Sequence, residues 1–147
     1  MDVLNKEQRH KAMQHIRSKD TAIEVKLRTA LWHEGIRYRK NYTKLPGRPA
    51  IAITKYQIAI FCDGEFFHGK DWDSLQQKVL KGTNSTYWYG KIKRNIERDQ
   101  EVNRTLYGQG WTVLRFWGND ILKHTDECVQ TVEETIFDIK TRLDDAI

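Results

Sequence analysis

The stretch FCDGEFFHG, residues 61–69, sets Asp63, Glu65 and His68 just beyond the apolar run 57–61. Carboxylates close to an imidazole can hold a hard cation and place a base that takes a proton from water. The end of an apolar strand opening into a loop is a common address for such groups, although the same nonapeptide also reads as a polar loop with a surface histidine. Glu24 is a further candidate acid. It stands three residues after Thr21, the spacing of a capping box, in which it would only satisfy an amide. Phe66 and Phe67, between Gly64 and Gly69, are poorly placed for a core, and with Trp72, Trp88 and Tyr89 they could present rings that wedge between bases. Core packing is the alternative fate of each ring.

These groups need elements to position them. Residues 5–17 read as a strongly basic helix with Met13 and Ile16 on an apolar stripe. The Thr21/Glu24 signal opens a helix carrying Ile23, Leu27, Ala30 and Leu31, which Gly35 ends. An edge strand near 36–42 and the turn 45–49 lead to two short strands, AIAI and QIAIF, split at Thr54-Lys55-Tyr56 as a hairpin. The segment 63–86 shows no clear period and reads as a long functional loop. Residues 87–107 read as a helix with Trp88, Ile92, Ile96, Val102 and Leu106 inward and Lys91, Lys93, Arg94 and Arg98 outward. A strand over 111–117 and an acidic amphipathic helix at about 125–145, with Cys128, Val132, Ile136, Ile139 and Leu143 on one face, finish the chain. Helices around a short mixed sheet give an α/β class with one core.

The bulk composition bounds the function. A chain of 147 residues, 39% hydrophobic and 31% charged, suits a single domain over 1–147. No apolar run approaches the roughly 20 residues that cross a bilayer, and MDVLNKEQRHK lacks a signal peptide's apolar stretch, so a cytoplasmic location is expected. Cys62 and Cys128 make no disulfide framework and no Cys-x-x-Cys pair, and read as buried thiols. Residues 1–44 carry eleven Lys/Arg against five Asp/Glu, whereas 119–147 carry three against eight. The basic first third is the expected face for a polyanion.

Five ordered blocks, RHKAMQHIRSKDTAIE, LPGRPAIAI, KYQIAIFCDGEFFHG, YWYGKIKRNIERDQEV and GWTVLRFW, span roughly residues 5–117, and over that span the chain resembles the very-short-patch-repair (Vsr) endonucleases. The resemblance implies a restriction-endonuclease-like core, related to the PD-(D/E)xK nucleases. It also implies magnesium-dependent nicking of one DNA strand beside a T·G mismatch, leaving a 5′-phosphate and a 3′-hydroxyl. Ala50 stands in the slot of the family's metal-binding aspartate, and Cys62 at a position whose backbone carbonyl contacts the metal. Asp63 takes a place where some members have histidine, next to a metal-bound water or a second ion. His68 matches the general base, and Glu24 an acid that supports the metal waters or the base. Phe66, Phe67 and Trp88 match an aromatic wedge entering from the major groove, and Met13 an apolar side chain entering from the opposite groove. Arg17, Lys19, Arg48, Lys91, Lys93 and Arg94 are the cations expected along the DNA.

The chain departs from the family pattern in two respects. HGKDWD and FWGNDI offer no His/Cys set for the structural zinc of some members, so no zinc is expected. Ala50 reads as a lesion in an otherwise complete site. A methyl group gives magnesium no lone pair, so turnover should fall by orders of magnitude while duplex binding persists. Two alternatives remain beside the mismatch endonuclease: a Vsr-like restriction or defence nuclease that cuts matched DNA, and a non-catalytic binder of distorted duplexes. A monomer bound to double-stranded DNA near the nucleoid is expected, with mismatch-repair proteins as possible partners. The acidic C-terminal helix reads either as a docking element or as a solvated face.

Overall fold

The computed structural model describes residues 19–145. The expected basic helix at 5–17, with Met13 and Arg17, lies outside them. The described elements are α1 (Ala22–His33), β1 (Arg39–Lys40), β2 (Ile51–Ile53), β3 (Ile58–Asp63), α2 (Trp72–Lys81), α3 (Ser85–Gly108), β4 (Thr112–Trp117), α4 (Gly118–Lys123) and α5 (Thr125–Asp145). The strands form one sheet in the order β1-β2-β3-β4. β1, β2 and β3 pair antiparallel, and β3 pairs parallel with β4. The molecule is thus a mixed α/β fold, a four-stranded mixed sheet flanked by helices.

Strand alternation sorts the β3 side chains between two cores. Ile58 and Ile60 pack with Leu27 and Leu31 of α1 and with Val132 and Ile139 of α5. Ala59 and Phe61 face the other way, with Leu106 and Val102 of α3 and Val113 of β4. Because both faces of the hairpin are covered, β2 and β3 read as continuous apolar runs rather than alternating ones. Asp63 follows Ala59 and Phe61 by the period of two, so its carboxylate is aimed at the α3 side.

Three expectations change. The stretch 63–86 is not one loop: it holds the ten-residue helix α2, and α3 starts by Ser85. Trp72, Leu75 and Val79 of α2 do fall at helical spacing, but only Val79 is buried and the run is short. The edge strand expected near 36–42 keeps ladder pairing only at Arg39 and Lys40. Leu143, placed on the inward face of the last helix, is 56% exposed, because core contact along α5 ends with Ile139. No helix among the described residues is long and apolar enough to cross a membrane.

Candidate active site

The carboxyl end of β3 meets the middle of α3. Asp63 closes the strand, and Asp99, seven residues after Ile92 on α3, is turned toward the sheet. Between them lies His68, on a loop tightened by backbone bonds from His68 N to Gly64 O (3.1 Å) and from Lys70 N to Glu65 O (2.9 Å). The Asn95 side-chain amide donates to the Phe67 carbonyl at 2.9 Å and ties that loop to α3. Gly69 is needed for this approach: its φ is +67°, and a Cβ there would stand 2.4 Å from Ile96 Cδ1. Glu65 is used structurally, accepting the Asn119 N–H at 2.6 Å at the start of α4.

His68 Nδ1 lies 2.6 Å from Asp99 Oδ2 and 3.7 Å from Asp63 Oδ1. An ionised carboxylate only accepts, so Nδ1 carries the hydrogen and the lone pair of a neutral ring falls on Nε2. Burial works against the imidazolium, but the Asp99 hydrogen bond and the charges of Asp63 and Asp99 outweigh it. The His68 pKa is therefore raised above the ordinary histidine value. Arg115 of β4 balances the acids: Nη1 donates to both Asp63 oxygens at 3.2 and 3.1 Å and lies 3.5 Å from Asp99 Oδ1, while Nε donates to Asn103 Oδ1 at 2.7 Å. Asp63 is only 5% exposed. Its burial prevails over the His68 and Arg115 charges and raises its carboxyl pKa. Burial, with Glu24 and Asp63 nearby, pushes the Cys62 thiol up to about 12.

These groups line one cavity of about 300 Å³, which also admits Glu24, Arg48, Ala50 and Cys62. The sequence-derived site residues Glu24, Ala50, Cys62, Asp63 and His68 thus converge. Glu24 serves two purposes, because Thr21 N and Oγ1 both donate to its Oε1, at 2.9 and 3.0 Å, while the residue borders the cavity. Ala50 is buried, and its carbonyl is held by three donors: Arg28 Nε at 3.1 Å, Arg28 Nη2 at 3.0 Å and Asn41 N at 3.1 Å. Arg28 also donates to Asp20 at 2.8 Å and to Asn41 Oδ1 at 2.9 Å. Asn41 Nδ2 donates to Asp20 Oδ1 at 2.9 Å, and this bond, followed by the hydrogen bond and charge of Arg28, holds the Asp20 carboxyl below the usual range.

The aromatic residues form a cluster beside this cavity. Phe66 stands edge-on to both Phe67 and Trp88, at 5.4 Å in each case, and Tyr87 joins Trp88 at 5.1 Å. Phe66 is 41% and Tyr87 56% exposed, so the cluster shows rings to solvent instead of closing into the core. Trp72 pairs separately with Tyr89 at 5.4 Å. Lys19, Arg48, Lys93 and Arg94 are exposed, whereas Lys91 is half-buried with Nζ 5.8 Å from the Tyr87 ring.

Asp99, Arg115, Arg28 and Tyr87 were not among the expected site residues. A signal for the first two exists. Asp99 falls at helical spacing after Ile92 and Ile96, a carboxylate on an apolar stripe, and Arg115 shares with Val113 one face of a strand. Among the described residues, Asp63, His68 and Asp99 form the group whose ligand atoms lie within 4.8 Å of one another, a donor set suited to a divalent cation.

Comparison with known proteins gives a consistent result. The family described as "DNA mismatch endonuclease Vsr" matches residues 1–74. The chain is 47% identical to the type II nicking enzyme V.NmeDIP of Neisseria meningitidis serogroup C, over 94% of this chain and 92% of that protein. It is 41% identical to the type II nicking enzyme V.HpaIIP of Haemophilus parainfluenzae, over 94% of this chain and 97% of the relative. To the DNA mismatch endonuclease Vsr of Escherichia coli K12 it is 35% identical, over 79% of this chain and 72% of that protein.

Proposed function

The chain belongs to the Vsr family of DNA mismatch endonucleases, and from that premise we propose that it is a single-domain, strand-specific DNA endonuclease whose substrate is a duplex carrying a T·G mismatch. The observation that carries this reading is the single cavity where Glu24, Ala50, Cys62, Asp63 and His68 meet Asp99. The "nicking enzyme" names of two relatives support cleavage of one strand.

The oxygen-rich lining fits a hard divalent ion of the magnesium type, held by the Cys62 carbonyl and neighbouring acids, except that Ala50 contributes no ligand. When bound, such an ion supplies positive charge to phosphate oxygens and lowers the pKa of its water. The protein's own groups do the remaining work. Asp99 orients His68 through Nδ1, leaving Nε2 to accept a proton from the attacking water. Arg115 keeps Asp63 and Asp99 from repelling each other, which fixes the acids on both sides of the imidazole. Phe66, Phe67 and Trp88 provide the wedge that unstacks the mismatched step. Arg48 at the cavity mouth and Lys93 and Arg94 on α3 meet phosphates. In this reading the sheet is the restriction-endonuclease-like core related to the PD-(D/E)xK nucleases.

Without a carboxylate at position 50, turnover should be almost nil, since loss of even one donor aimed at the transition state lowers rates by roughly 10² to 10³. Ala50→Asp should restore nicking of a T·G duplex in magnesium, read as one cut strand on a denaturing gel. A reverted protein inert on every duplex would sink the catalytic assignment. Faster cutting of matched DNA than of T·G DNA would favour a restriction or defence nuclease.

A further inference from the structure

We infer that the exposed edge of the sheet at β1 is a second DNA contact, a track for backbone phosphates that leads away from the catalytic cavity. The inference rests on the endonuclease reading above and extends its footprint. Six cations are set along this edge or beside it: Arg37, Arg39, Lys40, Lys44, Lys55 and Lys140. All are exposed, and among the described residues none forms an ion pair. Two depressions, of about 560 and 650 Å³, adjoin along the edge and share Tyr38, Arg39 and Thr54 in their walls. Glu34 is the one acid that lines either of them.

Unpaired cations spread over a surface are ordinary, but these are organised. The Lys55 and Lys140 ammoniums gather at one ring, 5.5 and 5.6 Å from the Tyr56 centroid, although they come from the β2–β3 turn and from α5. Both ammoniums are thus held at the same place on the edge, with no ion pair among the described residues to neutralise them. Arg37 is stacked 3.6 Å over Trp32 and donates to the Trp32 carbonyl at 3.0 Å, so its guanidinium is held in place before any partner arrives.

Continuity with the cavity selects the occupant. Lys40 pairs with Ile51 and Arg39 with Ala52, immediately after Ala50 in the chain. Asn41 N and Tyr42 N donate to the Ala50 and Pro49 carbonyls at 3.1 and 3.0 Å. A duplex seated at the cavity therefore meets the near end of this edge first. From Lys40 back to Arg37 the backbone extends on the order of 10 Å, comparable to about three phosphates of one strand at roughly 3.4 Å of axial rise each. A polyanion of regular charge spacing, the DNA flanking the cut, fits a line of this kind.

The test compares the parent chain with a variant carrying Arg39→Gln, Lys40→Gln, Lys55→Gln and Lys140→Gln, all exposed positions whose folding is checked by thermal melting. Binding is measured without divalent metal on T·G duplexes of about one helical turn and about three turns. The variant should bind the long duplex at least about tenfold more weakly, and its slope of log K against log salt should be shallower by roughly two to three. On the short duplex, which reaches only the near end at Arg39 and Lys40, the loss should be clearly smaller, within about threefold. Equal weakening on both lengths, or an unchanged slope on the long one, overturns the proposal. Unchanged DNA binding combined with lost binding to polyglutamate would assign the edge to an acidic protein and likewise overturn it. A parent that binds no duplex removes the endonuclease reading as well.

Discussion

Asp99 decides which nitrogen of His68 is basic, and its loss should be visible in two ways. In the Ala50→Asp background, Asp99→Asn removes the charge that raises the His68 pKa, so the acid limb of the nicking pH profile should move to lower pH. The rate on the plateau should drop by roughly 10²-fold or more, because the tautomer is no longer enforced. The stability effect has a definite sign. A histidine whose folded pKa is raised contributes stability that is full below its unfolded pKa and is lost as pH rises through the folded value. Melting temperatures of the parent should therefore fall across that window, and Asp99→Asn should flatten the fall. Cys62 gives a separate check at this scale. With its thiol pushed up to about 12, it should resist alkylation at pH 8 in the folded protein and react only on unfolding, as followed by mass spectrometry.

At the scale of elements, the site depends on how closely the His68 loop approaches α3. Gly69 has a left-handed φ of +67° and Ile96 where its Cβ would be. Gly69→Ala should cost about 1–3 kcal/mol, read by chemical denaturation, and should lower nicking in the reverted background further than stability alone explains, since it moves His68 relative to Asp99. Much of this layer was legible in the sequence. The Thr21–Glu24 capping box, the hairpin around Thr54–Gln57 and the acid–histidine strand end all follow from local spacing. Asp99 and Arg115 lie more than thirty residues from the acid–histidine strand end in sequence, and only the packing of α3 and the parallel pairing of β4 with β3 bring them to His68 and Asp63. Helix α2 carries a helical signal in Trp72, Leu75 and Val79, but the run is only ten residues long and stands between Gly69 and Gly82, so it is easily taken for part of a loop. Arg28 could not have been placed from sequence at all, since its partners at Asp20, Asn41 and Ala50 are assembled by tertiary contact.

Across the whole molecule, charge and chemistry are separable. In the proposed reading, the formal charge of +5, concentrated in the first third, and the exposed rings would bind a duplex whether or not position 50 carries a ligand. Restoring the carboxylate by Ala50→Asp should weaken binding to T·G DNA about tenfold without divalent metal, because a buried anion then faces phosphates. Magnesium should abolish that difference; fluorescence anisotropy in EDTA and in magnesium gives the comparison. Identical affinities for both proteins in EDTA would place position 50 away from the bound strand.

The grip of Arg28 and Asn41 on the carbonyl of residue 50 has a genetic consequence. It acts on the main chain, so those three hydrogen bonds do not depend on which side chain the position carries. Aspartate and alanine codons are exchanged by one nucleotide change. Under the proposed assignment, one such change would switch cutting off or on while the main-chain grip on residue 50 is inherited unchanged.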